Sequence, residues 1–137
     1  MSELCWSLIC HDVASAGDAR ADARRFLERH ADPALSDLND AEQIVGELVA
    51  NVVLHGASPF GMHIDWRQER PTLSVRDSGV RARLLYAVPD RDAETGRGLL
   101  IVRALGGAFV LDGPNDEHTG MRVAVELPVC RFARAAA

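Results

Sequence analysis

Apolar and polar positions alternate along Leu4-Cys5-Trp6-Ser7-Leu8-Ile9-Cys10, the two-residue period of a strand with one buried face. From Ser15 to His30 the period lengthens. Ala19, Ala23, Phe26 and Leu27 recur at i, i+4, i+7 and i+8, marking the inner stripe of a surface helix. Asp32-Pro33 breaks that helix, because a residue before proline is pushed out of the helical region. A second helix is predicted from a cap at Ser36 or Asp37 to about His55. Its stripe is Ala41, Ile44, Val45, Leu48 and Val52, and Gly56 is its stop. Alternation returns over Phe60 to Arg67 and Thr72 to Asp77, joined at Glu69-Arg70-Pro71, as a hairpin or adjacent antiparallel strands. Ser78 to Thr95 reads as a mobile loop with one short helical turn at most. Gly98 to Leu105 reads as a short helix, and Ala108 to Asp112 and Met121 to Leu127 as two last strands around Gly113-Pro114-Asn115-Asp116.

The order β-α-α-β-β-α-β-β lacks regular βαβ alternation. It predicts an α+β fold: a two-layer sandwich of one largely antiparallel sheet with helices on one face. The 137 residues fit a single domain spanning 1–137, long enough to bury about two-thirds of its extended surface without staples. Hydrophobic residues at 47% and charged residues at 26% argue against general disorder.

Charge narrows the chemistry. All 15 basic residues are arginine, so Schiff-base chemistry, a catalytic lysine and the lysine-containing P-loop are excluded. The 20 acidic residues give a net charge of −5, which opposes non-specific nucleic-acid binding. Cys5, Cys10 and Cys130 lack metal-ligand spacing and read as buried reduced thiols of a cytoplasmic protein, with a single disulfide left open. No signal peptide or membrane span is expected. His63, between Met62 and Ile64, reads as an outward strand side chain. His11, His30 and His118 fall at element ends and form no metal set, and His55 reads as a helix-end residue.

Three segments can carry chemistry. On the second helix Glu47, Asn51 and His55 fall within an arc of about 80° at the margin of the apolar stripe. A half-buried asparagine flanked by valine needs partners, which a ligand or a metal-bound water can supply; the alternative is a solvated helix edge. In Leu73-Ser74-Val75-Arg76-Asp77-Ser78-Gly79, parity puts Asp77 on the inward face. There an adenine amino group or a local Asx-turn would satisfy it. Gly96-Arg97-Gly98 precedes Leu99-Leu100-Ile101-Val102. It is either a simple turn or an anion cradle at a helix N-terminus, with Arg97 as a cationic contact.

Together, in this order, Glu47 to Gly56, Asp77-x-Gly79 and Gly96-Arg97-Gly98-Leu99 resemble the N, G1 and G2 boxes of the GHKL (Bergerat-fold) ATP-binding superfamily. The ELVxNxxxHG form and the element order are most similar to small bacterial anti-sigma factor serine/threonine kinases. The resemblance runs from the first strand through Pro128. It implies ATP and Mg²⁺ as ligands, with Asn51 holding the metal and Glu47 orienting or deprotonating the attacking hydroxyl. It also implies that Asp77 accepts from the adenine amino group, that Gly79 gives the base room, and that Gly96 and Gly98 line the triphosphate under a lid over about Val80 to Thr95. The implied partners are a STAS-type anti-anti-sigma protein and/or a sigma factor, with no direct nucleic acid and no membrane, and a homodimer is suggested.

Two departures stand out. Arg81 replaces the second glycine of the family's DxGxG, narrowing the adenine pocket or restricting the lid. Gly120-Met121-Arg122 lacks the family's hydroxyl unless Thr119 substitutes by a register shift. They motivate the alternative of a non-catalytic protein-binding regulator with a degenerate nucleotide pocket. The catalytic domain of a two-component histidine kinase is the third reading; it ranks lower because 137 residues leave no room for a dimerisation and phosphoacceptor helix pair. A gyrase- or MutL-like ATPase would need further transducer domains.

Overall fold

In the computed structural model, which describes residues 4–10, 16–55, 60–76, 94–112 and 122–132, the alternating segments form one sheet and the longer periods form helices. The order is β1 (Cys5–Cys10), α1 (Ala16–His30), α2 (Leu38–His55), β2 (Phe60–Asp65), β3 (Thr72–Arg76), α3 (Glu94–Leu105), β4 (Phe109–Asp112) and β5 (Arg122–Glu126). The strands lie in the order β1-β2-β3-β5-β4, and every pairing is antiparallel. The expected two-layer α+β architecture is the one observed.

Register divides the sheet into two faces. Trp6 pairs with Ile64, Leu8 with Met62, Leu73 with Val125 and Val75 with Val123, and these side chains point toward the helices. They meet Ala19, Ala23, Phe26 and Leu27 of α1 and Ala41, Ile44, Val45 and Leu48 of α2, so the stripes read from periodicity are core positions. Val52, the last residue of the α2 stripe, has a side chain outside the described set. α2 packs against both α1 and α3 and touches β3, which makes it the central helix of its layer.

Local signals explain most of the boundaries. Asp37 caps α2, its Oδ1 accepting from Asp40 N–H at 3.0 Å. Ser36 instead ties the helix entry to the C-terminal segment, its Oγ donating to Cys130 O at 3.1 Å and accepting from Cys130 N–H at 2.9 Å. The strand expected to reach Arg67 ends at Asp65. Trp66 turns inward, fully buried, with its Nε1–H on Glu69 O at 2.9 Å and its ring against Phe26 and His30. Periodicity also missed the course of the chain beyond β5. Asp32 N–H donates to Cys130 O and Asp37 N–H to Pro128 O, both at 2.8 Å, while Leu127, Val129 and Cys130 are buried. This segment straps the α1–α2 turn to the sheet. Cys5 and Cys130 are free thiols, and no helix among the described residues is long and apolar enough to cross a membrane.

Gly106 sits where α3 turns into β4, its N–H bonded to Val102 O at 2.9 Å. A Cβ there would press on Val125 Cγ2 and stand 3.0 Å from the Val102 carbonyl, so close backbone approach excludes a side chain. Gly106→Ala is expected to destabilise the fold by about 1–3 kcal/mol, read as a lower urea midpoint at unchanged slope.

Candidate functional site

Glu47 and Asn51 are one turn apart on α2, with Cβ atoms about 5–6 Å apart by helix geometry. Among the described residues Asn51 is the sole buried polar side chain, 9% exposed. Glu47 is half-buried. The burial of Asn51 itself, with Leu48 one turn earlier also buried, excludes the solvated helix edge weighed for it.

Glu47 lines a groove of about 480 Å³ between α1 and α2, with Arg20, Glu42, Gly46 and Ala50. Arg20 approaches Glu42 at 3.5 Å, and Arg24 binds the other oxygen of the same carboxylate. The Arg24 guanidinium is held above its ordinary pKa, first by its hydrogen bond to Glu28 and then, against some desolvation, by Glu42. Glu42 is thus neutralised by two arginines, which leaves Glu47 as the groove's carboxylate with no cation on it among the described residues. The Arg20–Arg24–Glu42 cluster does not stand out in the sequence. Its only trace there is the i, i+4 spacing of Arg20 and Arg24 on the outer side of α1.

Topology brings the end of α2, the start of α3 and the exit of β3 to one end of the sheet. Cys10 pairs with Phe60, Gly61 with Arg76, and Arg122 with both Arg76 and Asp112, so these residues share one end. α2 starts at the opposite end, where Asp37 N–H meets Pro128 O beyond β5, and it delivers the chain to Phe60. Its Asn51–His55 segment therefore approaches the Phe60 end. α3 finishes at the far end, where Gly107 N–H bonds Glu126 O at 2.9 Å, so its first turn also points back to the Phe60 end. β3 leaves at Arg76 on that same end, covalently one residue from Asp77.

Asp77 and Gly79 lie outside the described residues, as do Arg81 and most of the expected lid. The G2 segment is placed differently from expectation. α3 begins at Glu94, so Thr95, Gly96, Arg97, Gly98 and Leu99 are helical and do not precede the helix. Packing of α3 on α2, with Val102 fully buried, outweighs a propensity penalty of about 1 kcal/mol per glycine. The consequence is chemical. Free N–H groups of a first turn belong to its opening residues, here Glu94 to Gly96, whereas the Gly98 N–H enters the helical ladder. The side chains of residues 94–99 are not among those described.

A sequence model of the histidine kinase-like ATPase domain matches residues 10–124. The chain belongs to this family. Among solved structures, the mycobacterial sensor histidine kinase MprB is similar with a TM-score of 0.54 and 16% identity, over 93% of this chain and 100% of that one, which shows the shared fold. No curated protein sequence matches. Membership makes this a GHKL-type ATP-binding domain, and the buried Asn51 is compatible with the metal such domains usually use. Mg²⁺ takes oxygen ligands and keeps several waters, so one carboxamide oxygen beside the phosphates is a suitable protein contribution.

Gly46, next to Glu47, carries a further expectation. An added Cβ would meet the Arg20 guanidinium first, at 3.4 Å, and that side chain is about half exposed and can give by a few tenths of an ångström. Gly46→Ala should therefore raise stability by about 0.5–1 kcal/mol in chemical denaturation, through helix propensity and a less flexible unfolded chain.

Proposed function

We propose that this ATPase-family domain is an ATP-dependent protein serine/threonine kinase of the anti-sigma type. It would phosphorylate a STAS-type antagonist and hold a sigma factor as the alternative partner, in the cytoplasm and as a homodimer. One observation carries the reading: a carboxylate, Glu47, stands one helical turn from the buried carboxamide of Asn51. Asn51 would hold Mg²⁺ through its oxygen, and the metal when bound supplies charge neutralisation on the triphosphate. Glu47 would take the proton from an acceptor hydroxyl as that oxygen bonds to the γ-phosphorus and the bond to the ADP leaving oxygen breaks. Asp77 and Gly79 would receive the adenine. The first turn of α3 would offer N–H groups and its dipole to phosphate oxygens, with Gly96 contributing more directly than Gly98 and Arg97 as a nearby cation. Phosphoryl transfer asks mainly for positioning and charge stabilisation, and this set supplies both without lysine.

Calorimetry with ATP and Mg²⁺ should show saturable binding, weakened at least about tenfold in Asn51→Ala, about 1.4 kcal/mol. With a cognate STAS-type antagonist, the γ-phosphate should appear on that protein as an acid-stable ester. Glu47→Ala should slow transfer by about 10²–10⁴-fold while leaving nucleotide affinity nearly unchanged. Transfer that survives in Glu47→Ala removes Glu47 from the base role. Acid-labile phosphate would favour histidine kinase chemistry. Absence of ATP binding would leave the non-catalytic regulator, the reading motivated by Arg81 and Met121-Arg122.

A further inference from the structure

The face of the sheet turned away from the helices carries a side-chain cluster unrelated to the nucleotide site. In the β1–β2 ladder Cys5 stands directly opposite Asp65, and His63 is two residues along the same strand, on the same face as both. One ligating atom from each of Cys5, His63 and Asp65 lies within 4.8 Å of the others. The Cys5 Sγ itself is 3.9 Å from Asp65 Oδ1. Tetrahedral zinc, with bonds of about 2.0–2.3 Å, needs ligand atoms about 3.5 Å apart. The strand register already sets the three side chains on one face, so side-chain rotation is the movement that would bring them to bonding separation.

We infer that Cys5, His63 and Asp65 form a binding site for a zinc-class divalent cation, with water in the fourth position. The ligand chemistry selects the ion class. A thiol and an imidazole beside one carboxylate favour a borderline-soft cation over Mg²⁺, which prefers an all-oxygen shell. Binding replaces the Cys5 S–H by a sulfur–metal bond and releases one proton to solvent. The surroundings suit the ligands. Ser7 Oγ is 2.6 Å from His63 Nδ1 and steadies the ring, as an outer hydrogen bond does for metal-binding imidazoles. Arg67 orients the carboxylate: its backbone N–H reaches Oδ1 at 3.0 Å, its Nε–H is shared between Oδ1 at 3.0 Å and Oδ2 at 3.1 Å, and its Nη2 reaches Oδ2 at 2.7 Å. The Nε–H can settle on Oδ2 and leave Oδ1 to the cation. Those bonds also hold Asp65 ionised, its pKa lowered to about 2. Because β1 is an edge strand, a cation here would clamp the first strand of the fold to β2.

Titration of the full-length protein, without an affinity tag, with Co²⁺ as a spectroscopic probe tests the site. Saturation at one equivalent is expected, with a thiolate-to-cobalt charge-transfer band that Zn²⁺ displaces. The band should vanish in Cys5→Ser, persist in Cys130→Ser, and need at least about tenfold more metal in His63→Ala or Asp65→Asn. In the unmutated protein Zn²⁺ should slow alkylation of Cys5, read by peptide mass spectrometry, so the test stands if a variant fails to fold. A band that survives in Cys5→Ser, no thiolate band at millimolar Co²⁺, or unprotected alkylation of Cys5 overturns the site.

Discussion

α2 has to bury an apolar face against two helices and a sheet while presenting polar groups along one margin. Ala41, Ile44, Val45, Leu48 and Val49 are buried, and each of the larger ones contributes about 1.5–3 kcal/mol. Against that sum, an interior asparagine costs about 0.6 kcal/mol in helix propensity, and the glycine at position 46 about 1 kcal/mol. The apolar face thus decides that the helix exists, and Glu47 and Asn51 ride on it. The same packing places Asn51, which is buried one turn from buried Leu48. The N-terminal end of α2 is held twice over, by the Asp37 cap and by the strap through Pro128 and Cys130.

Antiparallel connectivity then does the assembling. Because α2 and α3 run in opposite directions over the same sheet face, the C-terminal part of one and the first turn of the other meet at the sheet end where β3 also exits. Their electrostatics differ in kind. Asn51 and Glu47 offer oxygen atoms suited to a hard cation or a proton, whereas the opening turn of α3 offers N–H groups and a positive dipole end suited to an anion. A metal–triphosphate complex presents both requirements at once. With arginine in place of lysine throughout the chain, fixed main-chain donors would carry more of the anion recognition than in a lysine-bearing site.

The helical stripes, the strand alternation and the placement of Glu47 and Asn51 one turn apart on a single helix were legible because each depends on spacing within one element. Ala19, Ala23, Phe26 and Leu27 all fall in the core for that reason. The start of α3 was not legible: two glycines look like a break, and only the burial of Val102 against the neighbouring layer explains why the helix extends back to Glu94. Nor was the strap after β5, whose hydrogen bonds link residues about ninety positions apart. Nothing local in Pro128 to Phe132 encodes its partner. Asp77 and Gly79, legible as a motif, lie outside the described residues, so their part rests on the sequence and on where β3 ends.

The outer-face cluster shows the same limit more sharply. Cys5 and Cys10 lack the spacing of a metal clip, and His63 reads correctly as an exposed strand residue. Neither statement bears on a ligand set whose members are sixty residues apart and become neighbours only through the β1–β2 register. A one-residue slip of that register would move Cys5 to the other face of its strand and separate it from Asp65. The Trp6–Ile64 and Leu8–Met62 pairs oppose such a slip, since it would expose buried Ile64 and Met62 and the half-buried Trp6 and Leu8. The hydrophobic pairing on the inner face therefore fixes the chemistry of the outer one. It would also keep the two proposed cation sites apart, with oxygen donors at the helix layer and sulfur and nitrogen donors across the sheet, so an ion suited to one would be poorly matched to the other.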